Sequence, residues 1–205
     1  MFKNKFFVVF LFLAVLAVVF YSLSGSQAEE LTAEQKSAYI NGIVSVRKDK
    51  DTFLKTNKES PIEDKASFKG LKYFDIDPAY KVLAKLDVLT SGQTIKIAMT
   101  GGETEEYEAY ANISFEVAGK KCALKLFKTP EGNLFLPFRD LTTNKETYGS
   151  GRYLDLSIDA IKDQHIDVDF NLAYQPYCTY NHTFTCPVPP AENFLNVAIK
   201  AGERL

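Results

Sequence analysis

Two long stretches hold most of the side chains that could do chemistry, and both interrupt an otherwise apolar pattern. The first runs from Leu136 to Asp155 and contains the loop Gly149-Ser150-Gly151 directly before Arg152. The second runs from Asp167 to Glu203 and contains two closely spaced cysteines and a run of tyrosines. A segment that only had to fold would not need so many polar groups between aromatic ones. The two stretches therefore predict one shared site.

The loop before Arg152 has the chemistry of an anion site. Backbone N–H groups of a Gly-Ser-Gly loop and a guanidinium fork can both donate hydrogen bonds to an anion. No helix pattern follows the loop, so neither a dinucleotide fingerprint nor a P-loop fits. The alternative is a structural pair, since buried arginines usually have an acidic partner. We predict that Arg152 lies within salt-bridge reach of Asp169 or Glu192, which would join the two stretches.

The site predicted from these residues is a polar, tyrosine-lined cleft that binds a small polar or anionic ligand. Its candidate ligand-binding residues are Arg139, Asp140, Tyr148, Arg152, Tyr153, Asp169, Asn171, Tyr174, Asn181, Glu192 and Asn193. They offer hydrogen-bonding groups but no clear nucleophile, and no catalytic residue or cofactor is predicted. One alternative is a hydrolase-like enzyme that uses Asp169 or Glu192 as acid or base, which an upward pKa shift in an open cleft would favour. The other is a structural or interaction domain of the cell envelope.

Cys178 and Cys186 enclose seven residues, and in an exported protein a disulfide is the natural expectation for such a pair. It would stabilise the fold by roughly 2–3 kcal/mol. Two free, buried thiols are one alternative. The other is a metal site that adds His182 and Asp169, although zinc sites usually place paired cysteines two to four residues apart. We predict no metal, and we expect Cys122 to be a single, buried residue because it lies in an apolar strand pattern.

The first residues have the pattern of an export signal. Two lysines precede an uninterrupted apolar run from Phe6 to Tyr21, and a small-x-small sequence ends at Ala28. The run is slightly long for a cleaved signal and slightly short for a full membrane span. Residues 1–28 are therefore predicted to be a signal peptide or a signal anchor. A retained anchor would contact the membrane through residues 6–23 and hold the domain outside the cytoplasm, whereas cleavage would give a secreted or periplasmic protein.

The rest of the chain, residues 29–205, is predicted to be a single domain. The net charge is −2, and basic residues are scattered among acidic ones, which excludes nucleic acid as a partner. The chain has 16 Phe and 11 Tyr but no Trp. Abundant aromatic residues favour a β-rich fold.

The periodicity predicts which elements position the site. Thr32 and Gln35 have the spacing of a capping box, so a helix should run from Ala33 to about Thr56. Its charged half, 46–51, is predicted to be mostly solvated, and two apolar residues just beyond it should dock the helix, namely Phe53 and Leu54. Strands are predicted over 80–88, 94–100, 107–117, 122–126, 134–138 and 194–200. Because turns join most of them, we expect a mainly β antiparallel meander that forms a sandwich or a curled barrel.

Two long strings resemble a known family. They are FLPFRDLTTNKETYGSGRYLDL and DFNLAYQPYCTYNHTFTCPVPPAENFLNVAIKAGE, and they are similar to sequences of the bacterial and archaeal family DUF1684. Shorter matching pieces lie upstream, namely DKDTFLK, Ser60-Pro61 and FKGLKYF. The resemblance covers roughly Lys48 to Glu203 and implies one β-rich domain of about this length. The family is a domain of unknown function, so the resemblance implies no reaction and assigns no catalytic or binding residue.

Overall fold

Helix α1, Ala33–Thr56, is the first element of the chain that the structure describes. The structure is a computed structural model that describes residues 31–90, 92–129 and 131–205. The predicted signal over residues 1–28 lies outside the described residues. Within the described ranges, no helix is both long and apolar enough to cross a membrane.

The start of α1 is capped as the sequence predicts. The Thr32 hydroxyl accepts a hydrogen bond from the Gln35 N–H at 3.2 Å, and the Gln35 side-chain oxygen accepts one from the Thr32 N–H at 2.8 Å. From Tyr39 to Leu205 the chain forms one compact unit. Within this unit Leu54 is fully buried, as predicted for a docking residue, whereas Phe53 is exposed.

Three residues of the charged half of α1, residues 46–51, are exposed as predicted, but the other three are half-buried and dock the helix. The Arg47 guanidinium donates to the Phe74 carbonyl at 3.0 Å. The Lys50 ammonium pairs with the buried carboxylate of Glu203 at 2.5 Å. Long basic side chains can cover apolar surface with their stems while their charged ends find partners. The presence of charged residues in the sequence therefore does not show whether a helix face is solvated or packed against the domain.

Antiparallel strands make up most of the fold. The described strands are, in chain order, β1 (Lys72–Tyr73), β2 (Lys81–Val88), β3 (Thr94–Ala98), β4 (Thr104–Val117), β5 (Lys120–Lys128), β6 (Leu134–Phe138), β7 (Arg152–Leu156), β8 (His165–Asp169) and β9 (Glu203–Arg204). The main sheet has the order β7-β6-β5-β4-β2-β8, with β3 also beside β4, and β1 pairs with β9. The sheet is a curled half-barrel, which confirms the predicted mainly β antiparallel fold with one N-terminal helix.

Strand β4 joins the two halves of this sheet. Residues 104–108 of this strand pair with β3 and residues 111–114 with β2, and its pairing with β5 shifts register between Ala109 and Ala111. Such a bulge bends the strand and increases its twist. Beyond the bulge, Ile113, Phe115 and Val117 alternate into the apolar core that the curled sheet encloses.

The predicted final strand over 194–200 is wrong. Its alternate apolar residues are buried as the pattern predicts, but the segment forms no strand, and the last strand described is β9. Backbone hydrogen bonds to Arg139 and Leu141 hold the first part of the segment, and side chains hold its end. A carboxylate oxygen of Asp140 accepts from the Ile199 N–H at 3.0 Å, and Arg152 donates to the Ile199 carbonyl at 2.8 Å. The segment is therefore held partly by side-chain hydrogen bonds that no periodicity in its own sequence reveals.

Candidate functional site

Tyr153 and Tyr174 bring the two chemistry-rich stretches together. The backbone N–H of each residue donates to the carbonyl of the other, at 2.9 and 3.0 Å. Their rings pack edge to face, with centroids 5.7 Å apart and planes at 88°. The two stretches therefore share one surface, and the backbone bridge between these tyrosines is one of the contacts that join them.

An open cleft of about 720 Å³ lies over this bridge. Its volume is within the range of roughly 300–1,000 Å³ that is usual for small-molecule sites. Most of the lining is aromatic or aliphatic, and three charged residues join it. The lining residues are Val46, Lys50, Tyr107, Thr129, Glu131, Phe135, Tyr153, Leu154, Asp155, Leu172, Tyr174, Pro176, Tyr177, Phe184, Thr185, Cys186 and Pro187.

Aromatic rings in mutual contact form one wall of the cleft. Phe135 packs against Tyr107, with centroids 5.9 Å apart, and against Tyr153, with centroids 4.9 Å apart. Tilted and edge-to-face arrangements are favoured because the ring faces carry negative and the edges positive charge density. A second pair, Tyr177 and Phe184, lies elsewhere in the lining with centroids 5.5 Å apart. These contacts fix the ring positions before any ligand arrives.

Lys50 brings a positive charge to the cleft, but its charge is already compensated. Its ammonium lies 4.4 Å from the centroid of the Tyr174 ring and pairs with Glu203. The other carboxylate oxygen of Glu203 accepts from the Gln175 N–H at 2.8 Å and from the Tyr180 hydroxyl at 2.9 Å. Glu203 is thus a buried hub that holds α1 against the cleft.

Asp155 supplies a carboxylate that forms no salt bridge with any residue in the described part of the chain. It lies on β7 between two more buried residues, and its side chain reaches the solvent of the cleft. One of its oxygens accepts a hydrogen bond from the Tyr174 hydroxyl at 2.8 Å. Partial loss of water raises the pKa of Asp155, while the Tyr174 hydrogen bond and the charge of Lys50 oppose that shift. Burial also raises the pKa of Tyr174, so this hydroxyl remains a donor at neutral pH.

Arg152 and Asp140 lie outside the cleft and form a buried pair. The Arg152 side chain is 1% exposed, and one of its nitrogens donates to an Asp140 oxygen at 2.9 Å. Burial lowers the pKa of Arg152, and the nearby Asp140 carboxylate opposes this shift. The prediction that Arg152 pairs with Asp169 or Glu192 is wrong. In the β6–β7 ladder Phe138 stands opposite Arg152, and Asp140 follows two residues later, which brings its carboxylate to the guanidinium.

The comparison with known proteins agrees with the resemblance found in the sequence. The model of a family described as "Protein of unknown function (DUF1684)" matches residues 66–204. The chain belongs to the DUF1684 family. It is similar to the uncharacterized protein from gene locus rrnAC0354 of Haloarcula marismortui, whose solution NMR structure is 37% identical in sequence and superposes with a TM-score of 0.66. That match covers 85% of this chain and 98% of the other. A search of curated proteins found no match.

Two further candidates in this DUF1684 domain, Asp169 and Asn171, fasten α1 to the sheet. Both carboxylate oxygens of Asp169 accept from the Tyr39 hydroxyl, at 2.9 and 2.8 Å. The Asn171 amide donates to that same hydroxyl at 2.9 Å and to the Asp77 carbonyl at 2.8 Å. Burial and the neighbouring Asp169 raise the pKa of Tyr39. All of these groups are satisfied within the protein and none lines the cleft.

Glu192 and Asn193 lie side by side but in different surroundings. The buried Asn193 amide donates to the carbonyls of Lys125 and Pro137, at 2.8 and 2.7 Å, and its oxygen accepts from the Lys125 N–H at 2.8 Å. It therefore pins the loop to β5 and β6. Glu192 is exposed and pairs with Lys125 at 3.3 Å. A backbone hydrogen bond and Lys125 lower the pKa of Glu192, which is opposite to the shift expected of a general acid.

Three candidates remain, and none lines the cleft. Arg139 forms a parallel backbone bridge with Phe194. The Tyr148 N–H donates to the side-chain oxygen of Gln175 at 2.9 Å. Asn181 lines a separate, smaller cavity, and its amide donates to a Glu63 oxygen at 3.0 Å. Of the eleven predicted ligand-binding residues, the structure therefore places only Tyr153 and Tyr174 in the cleft.

The predicted disulfide is absent, since Cys178 and Cys186 are free thiols, and both are buried. The Cys186 sulfur instead accepts a hydrogen bond from the Cys178 N–H at 3.3 Å. Cys178 lies in a short 3₁₀ helix whose N-cap residue, Pro176, has no side chain that can accept a hydrogen bond. The Cys186 sulfur accepts from an N–H at the start of this helix instead. Burial and the neighbouring thiol raise the pKa of Cys186 to about 12. Cys122 is also free, as predicted, and half-buried.

Within residues 31–90, 92–129 and 131–205, no group of three His, Cys, Asp or Glu side chains is placed to hold a metal ion. His182, the imidazole considered for such a site, is exposed on its loop.

Several residues that line the cleft were not predicted from the sequence. Asp155 and Tyr177 lie within the two stretches, and a rule that selected every tyrosine and carboxylate there would have found them. Lys50 and Tyr107 lie far away in sequence, on α1 and β4. Only the docking of the helix and the curl of the sheet bring these two to the cleft.

Proposed function

We propose that this DUF1684 domain is a binding module for a small molecule with a flat, apolar body and a polar end. The observation that supports it is the open, preformed aromatic cleft of about 720 Å³ at the junction of the two stretches. Ring faces would contact the apolar body, and Asp155 would receive a hydrogen bond from the polar end. A filled interior at this junction would instead have favoured a purely structural domain.

The groups in the cleft support binding better than catalysis. The two carboxylates considered for hydrolysis, Asp169 and Glu192, are not part of its lining. The Cys186 thiol does line it, but its raised pKa keeps it protonated at neutral pH and so a poor nucleophile. Two carboxylates of the described lining remain, Asp155 and Glu131, and Asp155 accepts its side-chain hydrogen bond from Tyr174, whose raised pKa keeps that hydroxyl protonated.

Preorganisation also favours binding. The rings that line the cleft pack against one another, and the Tyr153–Tyr174 bridge fixes the backbone beneath them. Binding to a site that is already ordered avoids much of the free-energy cost of immobilising side chains. A ligand of modest size can therefore bind without a large interface.

A thermal-shift screen of the full-length chain tests this proposal. The panel consists of flat aromatic compounds that carry an amine, a hydroxyl or a carboxylate. A ligand present at 100 times its Kd stabilises the folded state by about 2.7 kcal/mol, so a true ligand should raise the Tm measurably. Tyr177→Ala should weaken the shift, whereas Tyr110→Ala, a half-buried tyrosine outside the cleft, should not. A panel without any stabilising compound would contradict the proposal, and so would a shift that Tyr177→Ala leaves unchanged.

We also propose that the domain works outside the cytoplasm, and the leader pattern of residues 1–28 supports this. Protease added to intact spheroplasts should then digest the domain. Protection of the domain in spheroplasts, together with digestion after lysis, would place it in the cytoplasm.

A further inference from the structure

We infer that the cleft prefers an organic cation, such as a substituted ammonium group, over a neutral or anionic molecule of the same shape. This inference rests on the proposed binding function and names the chemical class of the ligand. It differs from the anion site that the arginine-containing stretch predicts, because Arg152 is buried against Asp140 and cannot meet a ligand in the cleft.

The balance of charge in the cleft is the first argument. Lys50, its one basic lining residue among those described, pairs with the buried Glu203. Two acidic residues, Asp155 and Glu131, also line the cleft, and within the described ranges neither forms a salt bridge. With Lys50 compensated, the remaining charge of the lining is negative. Such a surface attracts cations and repels anions.

The aromatic rings are the second argument. A cation within about 6 Å of a tyrosine ring centroid is attracted by the negative face of the ring. The protein already uses this interaction, since the Lys50 ammonium lies 4.4 Å from the centroid of Tyr174. Two further pairs of lining rings meet at steep angles, 67° for Phe135 and Tyr153 and 86° for Tyr177 and Phe184, whereas Tyr107 stacks on Phe135 at 29°. The ring faces therefore point in several directions. Rings arranged in this way can surround a substituted ammonium group.

Asp155 is the third argument. Its carboxylate is reached from the cleft, and its hydrogen bond to Tyr174 uses only one of its two oxygens. Partial burial raises the pKa of Asp155 although Lys50 and the Tyr174 hydrogen bond oppose the shift, so the carboxylate has lost solvation without full compensation. A cation bound beside it would supply that compensation.

Three probes of one shape and different charge test the inference. They are choline, 3,3-dimethylbutan-1-ol and 3,3-dimethylbutanoate, which are positive, neutral and negative at pH 7. Isothermal titration of the full-length chain with each should show that choline binds about 5- to 30-fold more tightly than the alcohol and that the carboxylate binds most weakly. Equal or tighter binding of the alcohol or the carboxylate would overturn the inference and leave the proposed binding function standing.

A matched pair of variants tests whether the preference for a cation depends on Asp155. Asp155→Asn keeps an oxygen that can accept from Tyr174 but removes the charge, so it should weaken choline binding about tenfold and alcohol binding much less. Asp159→Asn, at an exposed carboxylate outside the cleft, should leave both unchanged. Unaltered choline binding by Asp155→Asn would overturn the inference. Failure of all three probes to bind would also overturn it, and the aromatic panel would then decide separately on the proposed function.

Discussion

Replacing Arg152 with methionine should lower the free energy of unfolding by about 3–5 kcal/mol, because it leaves a buried carboxylate without its cation. The Arg152 guanidinium also donates to the carbonyls of Ile199, Ala201 and Glu203. The substitution therefore removes the hydrogen bonds of three backbone groups as well as the partner of Asp140. Urea denaturation, with the midpoint and slope compared with those of the wild type, measures the loss.

Two further variants make this result specific. Arg152→Lys keeps the charge, but a single ammonium cannot reproduce a fork that contacts Asp140 and several carbonyls, so it should still be clearly destabilising. Lys200→Met breaks an exposed pair with Glu146, which is 3.2 Å long, and should change stability by about 1 kcal/mol or less. If Arg152→Met were no more destabilising than Lys200→Met, the buried pair would not be the anchor described above.

Replacing Glu203 with alanine should have an effect of similar size, about 3–5 kcal/mol, since it leaves the Lys50 ammonium without its partner. The Gln175 N–H and the Tyr180 hydroxyl would also lose their acceptor. Glu203→Gln keeps one oxygen for these donors but turns an uncharged amide toward Lys50, so an intermediate loss is expected.

Glu192→Ala is the matched control for Glu203, because Glu192 also pairs with a lysine but is exposed. It should change the unfolding free energy by about 1 kcal/mol or less. Denaturation of all three variants under one set of conditions gives the comparison. A loss at Glu203→Ala as small as that at Glu192→Ala would show that the buried hub contributes little to stability.

Local patterns predict the elements of this DUF1684 domain well. The capping box at Thr32 and Gln35 marks the start of α1, since both of its hydrogen bonds join residues three apart. The strand predicted over 134–138 coincides with β6, Leu134–Phe138. Where near neighbours in the sequence determine the structure, the sequence alone is sufficient.

Contacts between distant segments explain why the partners of the site residues were not predicted. Three acidic residues could have paired with Arg152, and the register of β6 against β7 selects Asp140. A lysine on α1 looks the same in the sequence whether it is solvated or, like Lys50, paired with a buried carboxylate. Of the polar cleft predicted from the two stretches, only Tyr153 and Tyr174 line the observed cleft, and that lining is mostly apolar.

The backbone bridge between Tyr153 and Tyr174 also affects how this protein meets its neighbours. Strand β7 ends the main sheet on one side, and an uncovered end strand offers N–H and C=O groups to strands of other molecules. Tyr153 lies one residue after the start of β7, and its backbone N–H and C=O are both hydrogen-bonded to Tyr174. The contact that forms the cleft therefore also protects this edge against strand addition and aggregation.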